Sequence, residues 1–144
     1  MYKAFLIGII IITLSCSKEI DINEPVPLES LLTGKRWVLT SYGFDENRNN
    51  QIDPAEESIE ECQKDNTWHY YPDGTGLFDD NTLSCATGIE KQPFTWKLVQ
   101  GNTTLDFFYD SLKILKINGN EMVLFKELNE VNGNTLRLLT VFRH

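Results

Sequence analysis

Gln92-Pro93-Phe94-Thr95-Trp96-Lys97-Leu98-Val99-Gln100-Gly101-Asn102-Thr103-Thr104-Leu105-Asp106-Phe107-Phe108 is the stretch on which the fold turns. Phe94, Trp96 and Leu98 alternate with Thr95 and Lys97, the period of two that marks a half-buried strand. Gln100-Gly101-Asn102 is far too short for a crossover, so it reverses the chain into a second strand over 103–108. The same rhythm continues downstream. Residues 111–117 lead through Asn118-Gly119-Asn120 into 121–128, and Asn132-Gly133 leads into 135–143. Asn-Gly between apolar alternations signals a hairpin.

Working upstream, residues 28–34 fit one short helical turn ended by Gly34. Residues 35–42 read as a first strand with Trp37 and Leu39 on one face. Residues 43–61 form a long acidic connection, whose end, 54–61, is predicted to be a short helix with Pro54 in its first turn. Strands at 67–71 and 74–79 flank the turn signature Tyr71-Pro72-Asp73-Gly74, and a polar segment over 79–87 holds Cys85. Eight short sequential strands with almost no helix predict an all-β domain, an eight-stranded antiparallel up-and-down barrel or a two-sheet sandwich. The sandwich needs longer crossing connections than the chain has after residue 90, which favours the barrel.

The beginning of the chain has a different character. Lys3 precedes an apolar run over residues 4–14, too short to span a bilayer, which takes about 20 apolar residues. This is the pattern of an export signal, expected as a signal helix over residues 1–15. Leu14-Ser15-Cys16 follows the run directly and resembles the lipobox of bacterial lipoproteins. That resemblance implies acyl chains on Cys16, which becomes the mature N-terminus. Several chains anchor stably, because each buried methylene contributes about 0.8 kcal/mol. In that family Asp after the cysteine favours the inner membrane. Ser17 therefore points to the outer membrane, on its periplasmic or its cell-surface face. Residues 16–27, polar and carrying Pro25 and Pro27, read as a tether, and 28–144 as the domain.

Residues 1–15 carry one charged side chain, Lys3, so the mature chain has a formal net charge of -9 where the whole has -8. An acidic chain with scattered Lys and Arg excludes nucleic acid as an expected partner, since phosphate binding needs a clustered positive patch. Assigning Cys16 to lipid leaves Cys62 and Cys85 in an oxidising compartment, where pairing is expected. The alternative, a metal site, lacks further cysteines or a neighbouring His cluster.

Within the long connection, Asp45, Asn47, Asn49, Asp53 and Glu56 fall at relative positions 1, 3, 5, 9 and 12, with Ile52 at 8. This spacing resembles an EF-hand loop, which wraps one Ca²⁺ in oxygen ligands. The resemblance implies side-chain oxygens from Asp45, Asn47 and Asn49 and the backbone carbonyl of Gln51. It further implies Asp53, direct or through water, and a bidentate Glu56. Asn50 stands where the motif has Gly, and Asn tolerates the left-handed conformation better than most residues. A structural role, closing the longest loop at the barrel mouth near Cys62, is the expectation. The bland reading is a solvated acidic loop.

No nucleophile elbow or phosphate loop is present, and the two histidines, His69 and His144, lie in a strand and at the last position. A non-enzymatic protein is expected. Leu32-Thr33-Gly34-Lys35-Arg36-Trp37-Val38-Leu39 resembles the opening strand of lipocalin-like proteins. Cys62 before the second strand, Asp73-Gly74 in an aromatic hairpin, and Cys85 before a strand with Trp96 resemble the small lipocalin-like lipoproteins of Gram-negative bacteria. The resemblance covers residues 28–144 and implies a calycin-type barrel in which Arg143 or Arg137 of the last strand covers Trp37. It also implies a small apolar ligand, or an envelope protein as partner. The alternative is a Ca²⁺-stabilised structural or interaction module whose aromatic core is filled, since eight strands enclose little space.

Overall fold

The computed structural model describes residues 26–83, 85, 91–108, 110–129 and 135–144. The expected signal, the lipobox cysteine Cys16, most of the tether and the Asn132-Gly133 turn lie outside them. One short helix, α1 (Leu28–Leu32), precedes eight strands: β1 (Arg36–Phe44), β2 (Thr67–Tyr70), β3 (Thr75–Asp79), β4 (Lys91–Val99), β5 (Thr104–Phe107), β6 (Asp110–Ile117), β7 (Glu121–Asn129) and β8 (Thr135–Arg143). Each strand pairs antiparallel with the next, and β8 returns to β1, closing the barrel.

The period of two does what the sequence promises. In β4, Phe94 and Trp96 are buried while Thr95 and Lys97 face solvent. Register carries the inner row from strand to strand: Trp37 opposes Trp68, Trp68 opposes Phe78, Gly76 opposes Phe94, and Trp96 opposes Phe107. A Cβ on Gly76 would strike the Phe94 ring, so glycine there is what lets that ring lie across the hairpin. Tyr70 stands edge-on to Phe94, Trp96 and Phe107, with centroids 5.3, 5.8 and 6.2 Å away. Such pairs add about 0.5–1.5 kcal/mol each beyond simple burial.

Connections alternate between the two ends. At one end the turns are short, and α1 packs against them. Leu32 is buried and its carbonyl accepts the Trp37 Nε1–H at 2.8 Å, which satisfies the one polar atom of a fully buried indole. The cation over Trp37 is Lys35, 5.4 Å from the ring. The expected Arg143 or Arg137 is elsewhere: Arg143 pairs with Glu121, and Arg137 lies over Phe125. Residue spacing explains this, because Lys35 leaves the chain beside Trp37 while Arg137 belongs to the far end of β8.

The segment after β1 departs from expectation in two ways. β1 runs on through Gly43 to Phe44 rather than ending at residue 42. No helix forms over 54–61; a single turn follows Pro54, and a 3₁₀ turn occupies Glu61–Gln63. Both follow from an edge left vacant. β2 pairs only with Arg36, Trp37 and Val38 of β1, so the upper part of β1 lacks a neighbour on that side. Gly43 bridges to Glu57, and the Ser58 N–H reaches the Tyr42 carbonyl at 2.7 Å, so extended chain continues the wall where a helix could not.

Candidate functional site

Residues 45–56 do not sit in the barrel mouth. They fold back over the outer face of the β1–β8 seam. A Cβ on Gly43 would collide with the Glu56 carbonyl and press on Ile52, so the close approach requires glycine at that position. Arg137, on the outer face of β8, donates from Nη1 to Asn50 Oδ1 at 2.6 Å and pairs with Glu127 Oε1 at 3.1 Å. Arg48 reaches the Thr135 carbonyl at 2.8 Å. The loop is thus pinned to β7 and β8 by two guanidinium groups, contacts that no local spacing could announce.

Inside the loop, side-chain oxygens accept from successive backbone N–H groups. Asn47 Oδ1 accepts from the Asn49 N–H at 3.0 Å, Asn49 Oδ1 from the Gln51 N–H at 2.8 Å, and Asp45 Oδ2 from the Asn50 N–H at 3.1 Å. Asn50 takes the left-handed conformation, φ 64°, in which Gly was the residue expected. The amides of Asn47 and Asn49 both donate to Asp53 Oδ2, at 2.8 and 3.3 Å. Glu56 turns its two carboxylate oxygens to the backbone N–H groups of Glu46 and Asp53, each at 2.9 Å. The structure therefore brings Asn47, Asn49 and Asp53 to one point but does not gather Asp45, Asp53 and Glu56. Among the described residues, the acid, cysteine or histidine side chains that meet in a group of three are Glu60, Cys62 and Cys85.

Those two cysteines are joined, with Cα atoms 5.2 Å apart. The bridge links the loop before β2 to the loop after β3. Beside it, the Asp65 carboxylate accepts from the N–H groups of Thr82 and Leu83 at 3.0 and 3.1 Å, so the same two loops are also tied by hydrogen bonds. Next to the seam, burial pushes the Glu57 carboxyl up. The Ser41 hydroxyl, the N–H groups of Tyr42 and Ile59, and Lys64 outweigh that and hold it below its ordinary value of 4.5.

The barrel interior carries a second feature that the sequence did not reveal. Trp68 Nε1 and Tyr70 Oη are buried, and neither has a hydrogen-bond partner. They are two residues apart on β2, so both rings point inward. Burial drives the Tyr70 hydroxyl pKa upward, which keeps its proton in place. An indole N–H only donates, and a protonated phenol also offers a hydrogen. The wall near them is incomplete. β5 pairs with β4 only from Trp96 to Val99, which leaves residues 91–95 without a neighbour on that side. Phe108 fills the gap, stacked on Phe94 at 4.7 Å and held at φ 53°, an unusual conformation for a bulky residue. Open grooves of about 410 and 390 Å³ lie along this gap, and both include Phe108. A period-two pattern identifies inward residues but says nothing about which of them lack partners.

No sequence among curated proteins matches this chain. A family model, described as a lipocalin-like domain, matches residues 32–124. The match takes in the Trp37 strand, the disulfide hairpin and the meander as far as the first half of β7. With the closed eight-stranded barrel, it shows that the chain belongs to the lipocalin-like domain family.

Proposed function

We propose that this protein is a lipid-anchored, non-catalytic binding protein of the outer membrane, held by acylated Cys16, whose barrel takes a small, largely apolar molecule bearing one acceptor oxygen. The observation that carries this reading is the pair of unpartnered donors, Trp68 Nε1 and Tyr70 Oη, inside an otherwise aromatic interior. A buried donor without a partner costs about 1–3 kcal/mol, and a carbonyl or carboxylate oxygen that accepts from either one removes that donor's cost. The gap beside Phe108 is the entry route in this reading. Three acyl chains at the N-terminus would keep such a binder at the bilayer from which an apolar ligand comes.

The test is native mass spectrometry of the purified full-length protein, followed by titration of an unbranched fatty acid against the tryptophan emission. A co-purified or titrated ligand whose affinity falls about tenfold in Tyr70→Phe supports the reading, being the loss of one hydrogen bond of about 1.4 kcal/mol. No bound mass, with no response from the fatty acid, sinks it. A second reading, a structural or interaction module with a closed core, is favoured by the packing of Trp37, Tyr70, Phe94, Trp96 and Phe142, all nearly fully buried. That reading predicts that Tyr70→Phe raises stability, because it deletes an unsatisfied hydroxyl without opening space.

A further inference from the structure

We infer that residues 45–56 form a calcium site on the outside of the barrel, over the β1–β8 seam. The acidic spacing alone would not carry this; Asp45 does. Its side chain is 0% exposed, and its Oδ1 accepts a hydrogen bond from nothing. Its other oxygen faces the loop, where it takes the Asn50 N–H. The nearest cation, Arg137, stands 3.9 Å from that second oxygen and is already committed to Asn50 and Glu127. A carboxylate oxygen taken out of water with no donor is costly, and buried acids are as a rule paired or bound to metal.

The neighbouring donors fit one class of ion. Every candidate ligand is an oxygen: Asp45, Asn47, Asn49, Asp53, Glu56 and the Gln51 carbonyl. Hard oxygen donors on an irregular loop suit Ca²⁺ better than Mg²⁺, which demands near-ideal octahedral geometry, and they exclude the softer metals. The amide N–H groups of Asn47 and Asn49, both turned onto Asp53 Oδ2, occupy the place of a positive charge. Rotating those amides presents their oxygens to an ion at the same point. That rotation gives up the Asn49 and Gln51 N–H groups that the amide oxygens now accept, and Glu56 has to leave the two backbone N–H groups it holds. Closing the loop in this way opposes binding, so the affinity belongs in the weak range of extracellular modules, a Kd of about 10⁻⁴–10⁻³ M. The site is separate from the barrel interior and stands or falls independently of the ligand reading.

Calorimetric titration of CaCl₂ into the full-length protein in detergent, with thermal melting in parallel, tests it. One ion per chain is expected, with the melting midpoint raised by about 10 °C at a hundredfold excess over Kd. Asp45→Asn should weaken binding more than tenfold, and Glu29→Gln, on α1, should leave it unchanged. Should Asp45→Asn fail to fold, Asp53→Asn, nearer the surface, gives the same decision. Absence of heat and of any midpoint shift up to about 10 mM Ca²⁺ overturns the site, as does an equal response to MgCl₂ or full affinity in the aspartate variants.

Discussion

At one end of the barrel the connections are three or four residues long and a helix covers the opening; at the other, a single connection between β1 and β2 runs from residue 45 to residue 66. The short-turn end is held by apolar contact. Leu32, Trp37, Met122 and Phe142 are at most 1% exposed there, and the polar atom of Trp37 is satisfied within five residues of chain. The long-loop end is held by point attachments: a disulfide, a carboxylate capping two N–H groups, two arginines, and an extended segment laid against a vacant strand edge. Burying surface is cheap in sequence terms, because alternation alone achieves it. Fixing a long loop needs individual groups, each placed by the fold. The long connection also carries the loop of the inferred calcium site, which agrees with the general placement of function on loops carried by a rigid scaffold, whereas Trp68 and Tyr70 lie level with Trp37 toward the short-turn end.

This contrast can be broken most severely at the short-turn end. Trp37→Ala should lower stability by about 3–5 kcal/mol, through lost burial, a cavity and an unpaired Leu32 carbonyl, read as a lower denaturant midpoint with unchanged slope. At the opposite end, replacing Cys62 and Cys85 by Ala should cost about 3 kcal/mol, the chain-entropy value for a loop of this length. The barrel signature in circular dichroism should persist, because Asp65 still ties the two loops. A loss equal to that of Trp37→Ala would erase the distinction between the ends.

Gly43→Ala probes the loop without touching the core. The added methyl meets the Glu56 carbonyl, so a cost of about 1–3 kcal/mol is expected. Hydrogen exchange should speed up over residues 45–57 and stay unchanged in β5 and β6. The smallest expected effect is acid dependence. Glu57 at the seam and Glu121 at the short-turn end both titrate below the ordinary 4.5; for Glu121 the Lys116 hydrogen bond leads, against a smaller push upward from burial. A lowered folded-state value means that each carboxylate stabilises the fold above about pH 4.5 and that this is lost as pH falls through its folded-state value. Glu57→Gln should flatten the acid limb of the melting profile in that window, and so should Glu121→Gln. An acid limb identical to that of the parent protein in both variants would contradict the assignment.

Much of the fold was legible because period-two alternation and Asn-Gly turns are local signals. Phe94, Trp96 and Leu98 place β4, and the turn at 100–102 orders β5 after it without any distant contact. What was not legible depends on neighbours far away in sequence. Gly43 reads as a turn residue, yet it lies inside β1 because Glu56 must pass close over it. Pro54 reads as a helix start, yet the free edge of β1 captures Glu57 and Ser58. The cysteine pairing followed from the expected compartment. The burial of Asp45 beneath the loop and the missing partners of Trp68 and Tyr70 arise only once the barrel has closed.

The disulfide has one further effect. Cys62 and Cys85 flank β2 and β3, so that hairpin lies inside a covalent ring, with its exposed tip at Pro72 and Asp73. A protease that cuts the tip would divide the chain into two polypeptides that migrate as one band until a reducing agent parts them. The wall can be nicked and still remain one particle, its severed strands held in register by β1 on one side and β4 on the other.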